Sequence, residues 1–201
     1  PNANIVVDKF HIVQLLTREL NKLRINEMKK LNTRSKEYKI LKRYWKIPLT
    51  RKRDLNSIYF YKNRHFKNMT SSIDILDYML KEFPNLKEAY DFYQNFLLSI
   101  SNNDVAMLED ILNTRTDKIP MCFRKSIKTL KKLRKYVVNS LKYDYTNAMV
   151  EGKNNKIKVI KRVSYGYRSF RNFKARIMLM ERYKIQKGNI HSYKFAMDVA
   201  A

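Results

Sequence analysis

The side chains of this sequence that could carry a reaction are carboxylates set among cations. Asp8 directly follows the apolar run Ile5-Val6-Val7 and precedes an amphipathic pattern. A carboxylate at the tip of a buried strand is held rigidly at a sheet edge, where the ligand sites of open α/β sheets form. The same position also suits a helix N-cap, a role that Asp fills well. Glu151 is the only acidic residue of the sequence between Asp144 and Glu181. At 100° per residue, Glu151, Asn155, Lys158 and Arg162 share one narrow helix face, with Val150, Ile157 and Ile160 on the other side. That stripe of amide and cationic groups suits phosphates, and a carboxylate at its head suits a divalent ion bridging to them. It equally suits a surface charge near the positive end of a helix dipole. His11, His65 and His191 lie far apart without metal-ligand spacing, and Cys122 stands in an apolar, helical context between Met121 and Phe123. Neither a phosphate-binding glycine loop nor a nucleophile elbow occurs. Covalent catalysis by a side chain therefore has no support.

The elements that must position these groups read as mostly helical. Asn4-Ile5-Val6-Val7 is expected as a short buried strand. A long helix follows, with Val13, Leu16, Leu20 and Leu23 on its apolar side. Residues 35–49 fit a helix through Tyr38, Leu41 and Trp45, or a strand over 44–49. Residues 51–68 are basic and aromatic without a period and read as irregular. Ser71-Ser72-Ile73-Asp74 fits a capping box, opening a helix with Ile73, Leu76, Leu80 and Phe83 in a stripe. Pro84 ends that helix and can begin another through Tyr93, Phe96 and Ile100. Asn102-Asn103-Asp104 opens a third, with Leu108, Ile111 and Leu112. Pro120 starts a long basic helix through Leu130, Leu133 and Val137. Two more helices are expected, near 148–164 and 169–185, separated by Tyr165-Gly166-Tyr167.

Charge narrows the partner. The 201 residues carry 43 Lys+Arg against 18 Asp+Glu, a net +25, with 44% hydrophobic residues and only three Gly and four Pro. That composition supports a folded core and argues against disorder. A surplus of this size opposes compaction and is best explained by a polyanion, nucleic acid first and an anionic membrane surface second. Solubility alone needs far less charge. The surplus is not spread evenly. Residues 1–70 hold 18 basic and 5 acidic residues, residues 71–117 hold 3 and 9, residues 118–150 hold 9 and 1, and residues 151–188 hold 12 and 2. An acidic block between basic flanks reads either as an inserted helical subdomain kept off the polyanion, or as one acidic face of a single helical domain. The first reading expects an apolar seam of its own, with Leu76, Leu80, Phe92 and Phe96, projecting away from Asp8 and Glu151. The single Cys fits a reducing compartment. No apolar run approaches the ~20 residues of a membrane span, and no signal-peptide pattern opens the chain.

Two segments resemble a known family. Val6-Val7-Asp8-Lys9-Phe10-His11-Ile12-Val13 is similar to the D-x-F-H-V segment of bacterial insertion-sequence transposases of the ISL-three family. The segment from Val150-Glu151-Gly152-Lys153-Asn154-Asn155-Lys156-Ile157-Lys158 to Tyr165-Gly166-Tyr167-Arg168-Ser169-Phe170-Arg171-Asn172-Phe173 resembles the signature around that family's last catalytic Glu. This second motif spans over twenty residues in register. One departure is Asn147-Ala148, where the family has Asn-Gly.

The resemblance implies a DDE recombinase, mainly α with a short β element: a partial RNase H-like catalytic core carrying a helical insertion. Residues 1–70 would hold part of that core with the second acidic residue, residues 71–117 the acidic insertion, and residues 118–201 the basic helices that complete the core. Asp8 corresponds to the second acidic residue and Glu151 to the third, both as ligands of two Mg²⁺ (or Mn²⁺) ions in the complete enzyme. The first Asp would lie upstream, so the chain, which begins with Pro rather than Met, is expected to be the C-terminal part of a transposase and inactive alone. Asn155, Lys156, Lys158, Lys161 and Arg162 would contact DNA phosphates, with Arg168, Arg171, Lys174 and Arg176 extending the basic surface. Transposon ends and target DNA are the implied partners, with a homo-oligomer in the transposition complex, no membrane, and a cytoplasmic location in a bacterium. The competing hypothesis is a non-catalytic basic helical module that binds nucleic acid, using Tyr59, Phe60 and Tyr61. Glu151 discriminates the two, because a pure binder gains nothing from an anion heading a phosphate stripe.

Overall fold

The structure, a computed structural model, describes residues 4–143, 145 and 147–182, the side chains of residues 181 and 182 excepted. The chain divides into two compact units, Pro1–Tyr145 and Thr146–Ala201. Among the described residues no helix is long and apolar enough to cross a membrane.

The first unit is built around α1, Lys9–Lys29. Ile12, Leu16, Leu20 and Arg24 recur every fourth residue and are buried, so the seam lies slightly rotated from the expected one, leaving Val13 and Leu23 half-buried. Against α1 pack α2 (Lys36–Arg43), α4 (Pro84–Ser101), α6 (Arg124–Lys132) and α7 (Arg134–Lys142), while α3 (Ser72–Glu82) lies on α2 and α4 and α5 (Val105–Asn113) on α4, α6 and α7. Residues 35–49 resolve to α2 followed by a 3₁₀ turn, Ile47–Leu49. Ser35 caps α2, its hydroxyl accepting from Tyr38 N–H at 3.1 Å, and the strand alternative over 44–49 gives way to local turn bonds, Ile47 N–H to Tyr44 O and Leu49 N–H to Lys46 O, both 3.0 Å.

The sequence signals for helix ends in the acidic block are obeyed closely. Ser71 and Asp74 form a reciprocal capping box, Pro84 begins α4, and Asp104 caps α5 by accepting from Met107 N–H. The helices of this block pack on one another, α4 against α3 and α5, and α4 also closes on α1. Phe96, Tyr93 and Leu86 join Ile12, Leu16 and Leu20 in one buried cluster, and Phe92 stacks on Phe123 at 5.4 Å. The α4–α5 turn lies against the start of α1, where Lys9 Nζ donates to Asn103 Oδ1 at 2.8 Å.

Two expectations are corrected. Residues 4–7 are not a strand. A strand needs a ladder partner, and these residues bond to a helix: Val7 N–H donates to Tyr136 O at 3.5 Å, Asn139 Nδ2 to Ile5 O at 3.0 Å, and Ser140 Oγ to Val7 O. Among the described residues, the β contact is an isolated antiparallel bridge, Tyr61 to Thr70. The fold is therefore mainly helical, with its β element at that bridge. The long basic helix is also two helices. A 3₁₀ turn, Met121–Phe123, precedes α6, and Leu133 (φ −99°, ψ 14°) leaves helical geometry before α7.

The second unit contains α8, Ala148–Val163, and α9, Phe170–Arg182, which pack on each other. The expected continuation of the last helix to residue 185 and the position of His191 lie outside the described residues. Ile160 is buried between these helices, with Ile157, Phe173 and Ile177 half-covered.

Candidate functional site

Asp8 is half-buried at the N-cap of α1, and its Oδ1 accepts from Phe10 N–H at 2.7 Å. The cap reading of this residue is thus realised. It leaves the carboxylate at the positive end of a 21-residue helix, fixed from behind by the bonds between residues 5–7 and α7. Beside this helix start lies a groove of about 400 Å³ lined by Lys9, Phe10, Val13, Arg51, Arg53 and Asn103, among others. No local pattern predicts that Arg51 and Arg53 come to the start of α1. They lie 43 and 45 positions beyond Asp8, and only the packing of α4 and the segment before it brings them there.

Glu151 stands in the first turn of α8 and is exposed. The helix starts at Asn147, whose carbonyl accepts from Glu151 N–H at 2.8 Å. Asn155, Lys158 and Arg162 lie on the same helical face within about 60° of arc, all exposed. Over the eleven steps from Glu151 to Arg162 this face runs about 16 Å. Lys156 points elsewhere: its Nζ donates to Met180 O at 3.1 Å, bracing α8 on α9. Lys161, Arg168, Arg171, Lys174 and Arg176 are exposed.

The Tyr165-Gly166-Tyr167 turn has a clear physical basis. Gly166 N–H donates to Lys161 O and Tyr165 N–H to Arg162 O, the paired bonds of a Schellman cap. Tyr165 (φ 51°) and Gly166 (φ 101°) both take the left-handed region, which the second tolerates because it lacks a Cβ. Tyr167 then turns back, its hydroxyl 2.7 Å from Ser164 Oγ and its ring 4.9 Å from that of Phe173. These contacts fix where α9 leaves α8, and so where Arg168, Arg171 and Lys174 emerge.

Other reactive groups are absorbed by structure. Burial pushes the Cys122 thiol up to about 11, which makes it a poor nucleophile. Among the described residues, no three of His, Cys, Asp and Glu converge on a common point.

A family model, DDE_Tnp_ISL3, described as transposase, matches residues 1–177. The chain belongs to that family. The matched span takes in Asp8, the helical block and the α8 stripe. A curated protein of Lactococcus lactis subsp. lactis, described as an ATP-dependent protease, is 39% identical over 121 residues, which is 60% of this chain and 38% of that protein. The chain thus aligns with less than half the length of that relative. No solved structure matches this ISL3-family chain.

Proposed function

We propose that this chain is part of a DDE transposase that cuts and joins DNA during transposition of an insertion sequence, with Asp8 and Glu151 as two of its three catalytic carboxylates. The observation that carries the proposal is Glu151. It is an exposed carboxylate heading a face of Asn155, Lys158 and Arg162, inside the transposase family match. A non-catalytic binder has no use for an anion there.

Both carboxylates offer hard oxygen donors, the type that Mg²⁺ and Mn²⁺ take, and the missing third donor is assigned to the upstream Asp of the complete protein. Divalent ions held there would activate the attacking oxygen and neutralise charge on the leaving one. The chain's own residues orient and hold the substrate. Asn155, Lys158 and Arg162 would grip successive phosphates along the α8 face, with Lys161, Arg168, Arg171, Lys174 and Arg176 extending the surface. Lys156 would contribute mainly through its brace to α9. At the other carboxylate, Arg51 and Arg53 would draw a phosphate toward the groove beside α1. The work would take place on DNA in the bacterial cytoplasm, within an oligomeric complex of transposase and transposon ends.

The protease name of the lactococcal relative is not carried over. The three glycines of this chain, at 152, 166 and 188, cannot form a G-x-x-x-x-G-K-[ST] loop.

The test is Glu151→Gln in the full-length parent. Cleavage of DNA bearing the transposon ends should fall below detection, while DNA binding is kept or slightly tightened by loss of a repulsive charge. Parental cleavage by the variant would sink the assignment of Glu151.

A further inference from the structure

The apex of the 51–68 segment presents three consecutive large apolar side chains to solvent: Ile58, Tyr59 and Phe60, 76%, 77% and 53% exposed. Such a run is unusual on a soluble surface and marks a contact site. The loop is built to hold it out. Asn56 closes its base, with Oδ1 accepting from the N–H groups of Ile58 and Tyr59 and Nδ2 donating to Tyr59 O at 2.7 Å. Asn56 O accepts from Ser72 N–H at 3.1 Å, and Tyr61 and Thr70 exchange two backbone bonds of 3.1 Å. Farther along, the buried Asn63 donates to Tyr44 Oη at 2.7 Å, and Phe66 meets Tyr78 edge-on beneath the Lys36 ammonium.

Around the apex the charge is one-sided. Arg51, Lys52, Arg53, Lys62, Arg64 and Lys67 face a single acidic residue in this segment, Asp54. Lys36, Lys39 and Arg43 act on the nearby His65 together with Arg64.

Resting on the DNA-processing reading above, we propose that this loop binds unpaired bases of the DNA substrate, with Tyr59 and Phe60 as stacking platforms and the flanking cations on the backbone. A paired, stacked duplex offers phosphates and groove edges to an incoming side chain, and its ring faces are covered. An exposed pair of aromatic rings gains most from bases whose faces are free. Because the loop is held at both ends, little ordering cost opposes the contact.

The experiment compares the 201-residue chain with Tyr59→Ala/Phe60→Ala and with Tyr59→Trp. Two duplexes of equal length serve as probes, one blunt and one with a short 3′ overhang carrying 2-aminopurine. The unaltered chain should prefer the overhang and quench its fluorescence. The double variant should lose about tenfold in overhang affinity while keeping its blunt-duplex affinity, and Tyr59→Trp should keep both. Equal binding of blunt and overhang duplexes overturns this inference and leaves the transposase reading standing. Binding to neither duplex overturns both. Tyr59- and Phe60-dependent binding to anionic vesicles, or dimerisation, without an overhang preference assigns the loop to a membrane or to a second copy and overturns the base-stacking role.

Discussion

Burial first, and then the cations Arg64, Arg43, Lys39 and Lys36, hold the His65 imidazole below the ordinary histidine value. Its ring nitrogen Nε2 accepts from Arg64 Nε at 3.3 Å, as a neutral imidazole can. Because the folded state disfavours the charged form, this residue costs the fold stability as pH falls through the unfolded value near 6.5. Phosphates arriving at those four cations would neutralise them and lift the His65 pKa. DNA binding should therefore take up a fraction of a proton and tighten as pH falls through the ordinary histidine value near 6.5. An NMR titration of His65 with and without DNA checks this, and an unmoved pKa would place the phosphates elsewhere.

Among the elements, α3 shows how a local signal survives into the fold. Ser71 N–H and Oγ both bond to Asp74 Oδ2, at 2.7 and 2.9 Å, while Asp74 N–H returns a bond to Ser71 Oγ at 3.3 Å. The backbone bond from Ser71, and after it the hydroxyl bond, lower the Asp74 pKa from its usual 3.8. The associated stability is present above that value and lost as pH falls through the lower folded one. Ser71→Ala should cost about 1 kcal/mol at neutral pH, a fall in Tm of a few degrees. The difference from the unaltered chain should narrow below about pH 4, once Asp74 is protonated. Thermal unfolding at pH 7 and at pH 3 measures both; a constant difference would mean the carboxylate takes no part. By contrast, α6 and α7 show a limit of periodicity. Ile127, Leu130, Val137 and Leu141 keep an apolar spacing across Leu133, yet the backbone breaks there.

For the whole molecule, a net charge of +25 governs association. Binding of the chain to DNA should weaken steeply as salt rises, with little sequence preference, because phosphate neutralisation releases counterions. Lys158→Ala/Lys161→Ala/Arg162→Ala should weaken binding to all sequences alike and reduce the salt slope by about three. A selective loss for one sequence would contradict the phosphate assignment. On the proposed assignment, in which Asp8 and Glu151 are two of three catalytic carboxylates, the same chain should bind DNA without nicking it in Mg²⁺ or Mn²⁺. Metal-dependent nicking that disappears in Glu151→Gln would show that the missing carboxylate has been misplaced.

What is local was legible in the residues alone. Ser71, Pro84 and Asp104 satisfy or remove the first N–H groups of a helix, and Gly166 admits a left-handed turn, so these boundaries follow from neighbours a few positions away. The α8 stripe was equally legible, since the 100° step of a helix places Glu151, Asn155, Lys158 and Arg162 together whatever surrounds them. Tertiary structure decided what depends on a distant partner. Residues 4–7 have the β-branched composition of a strand, but Tyr136, Asn139 and Ser140 of α7 supply their hydrogen bonds, and a strand exists only where another strand offers a ladder. The acidic block stands out by charge, while its apolar residues are buried both among α3, α4 and α5 and against α1, because burial follows the shape of the available surface and charge composition records only what is left outside. The exposed aromatic apex at residues 58–60 likewise depends on Asn56, the Tyr61–Thr70 bridge and Asn63 on Tyr44, contacts that no period in the sequence announces.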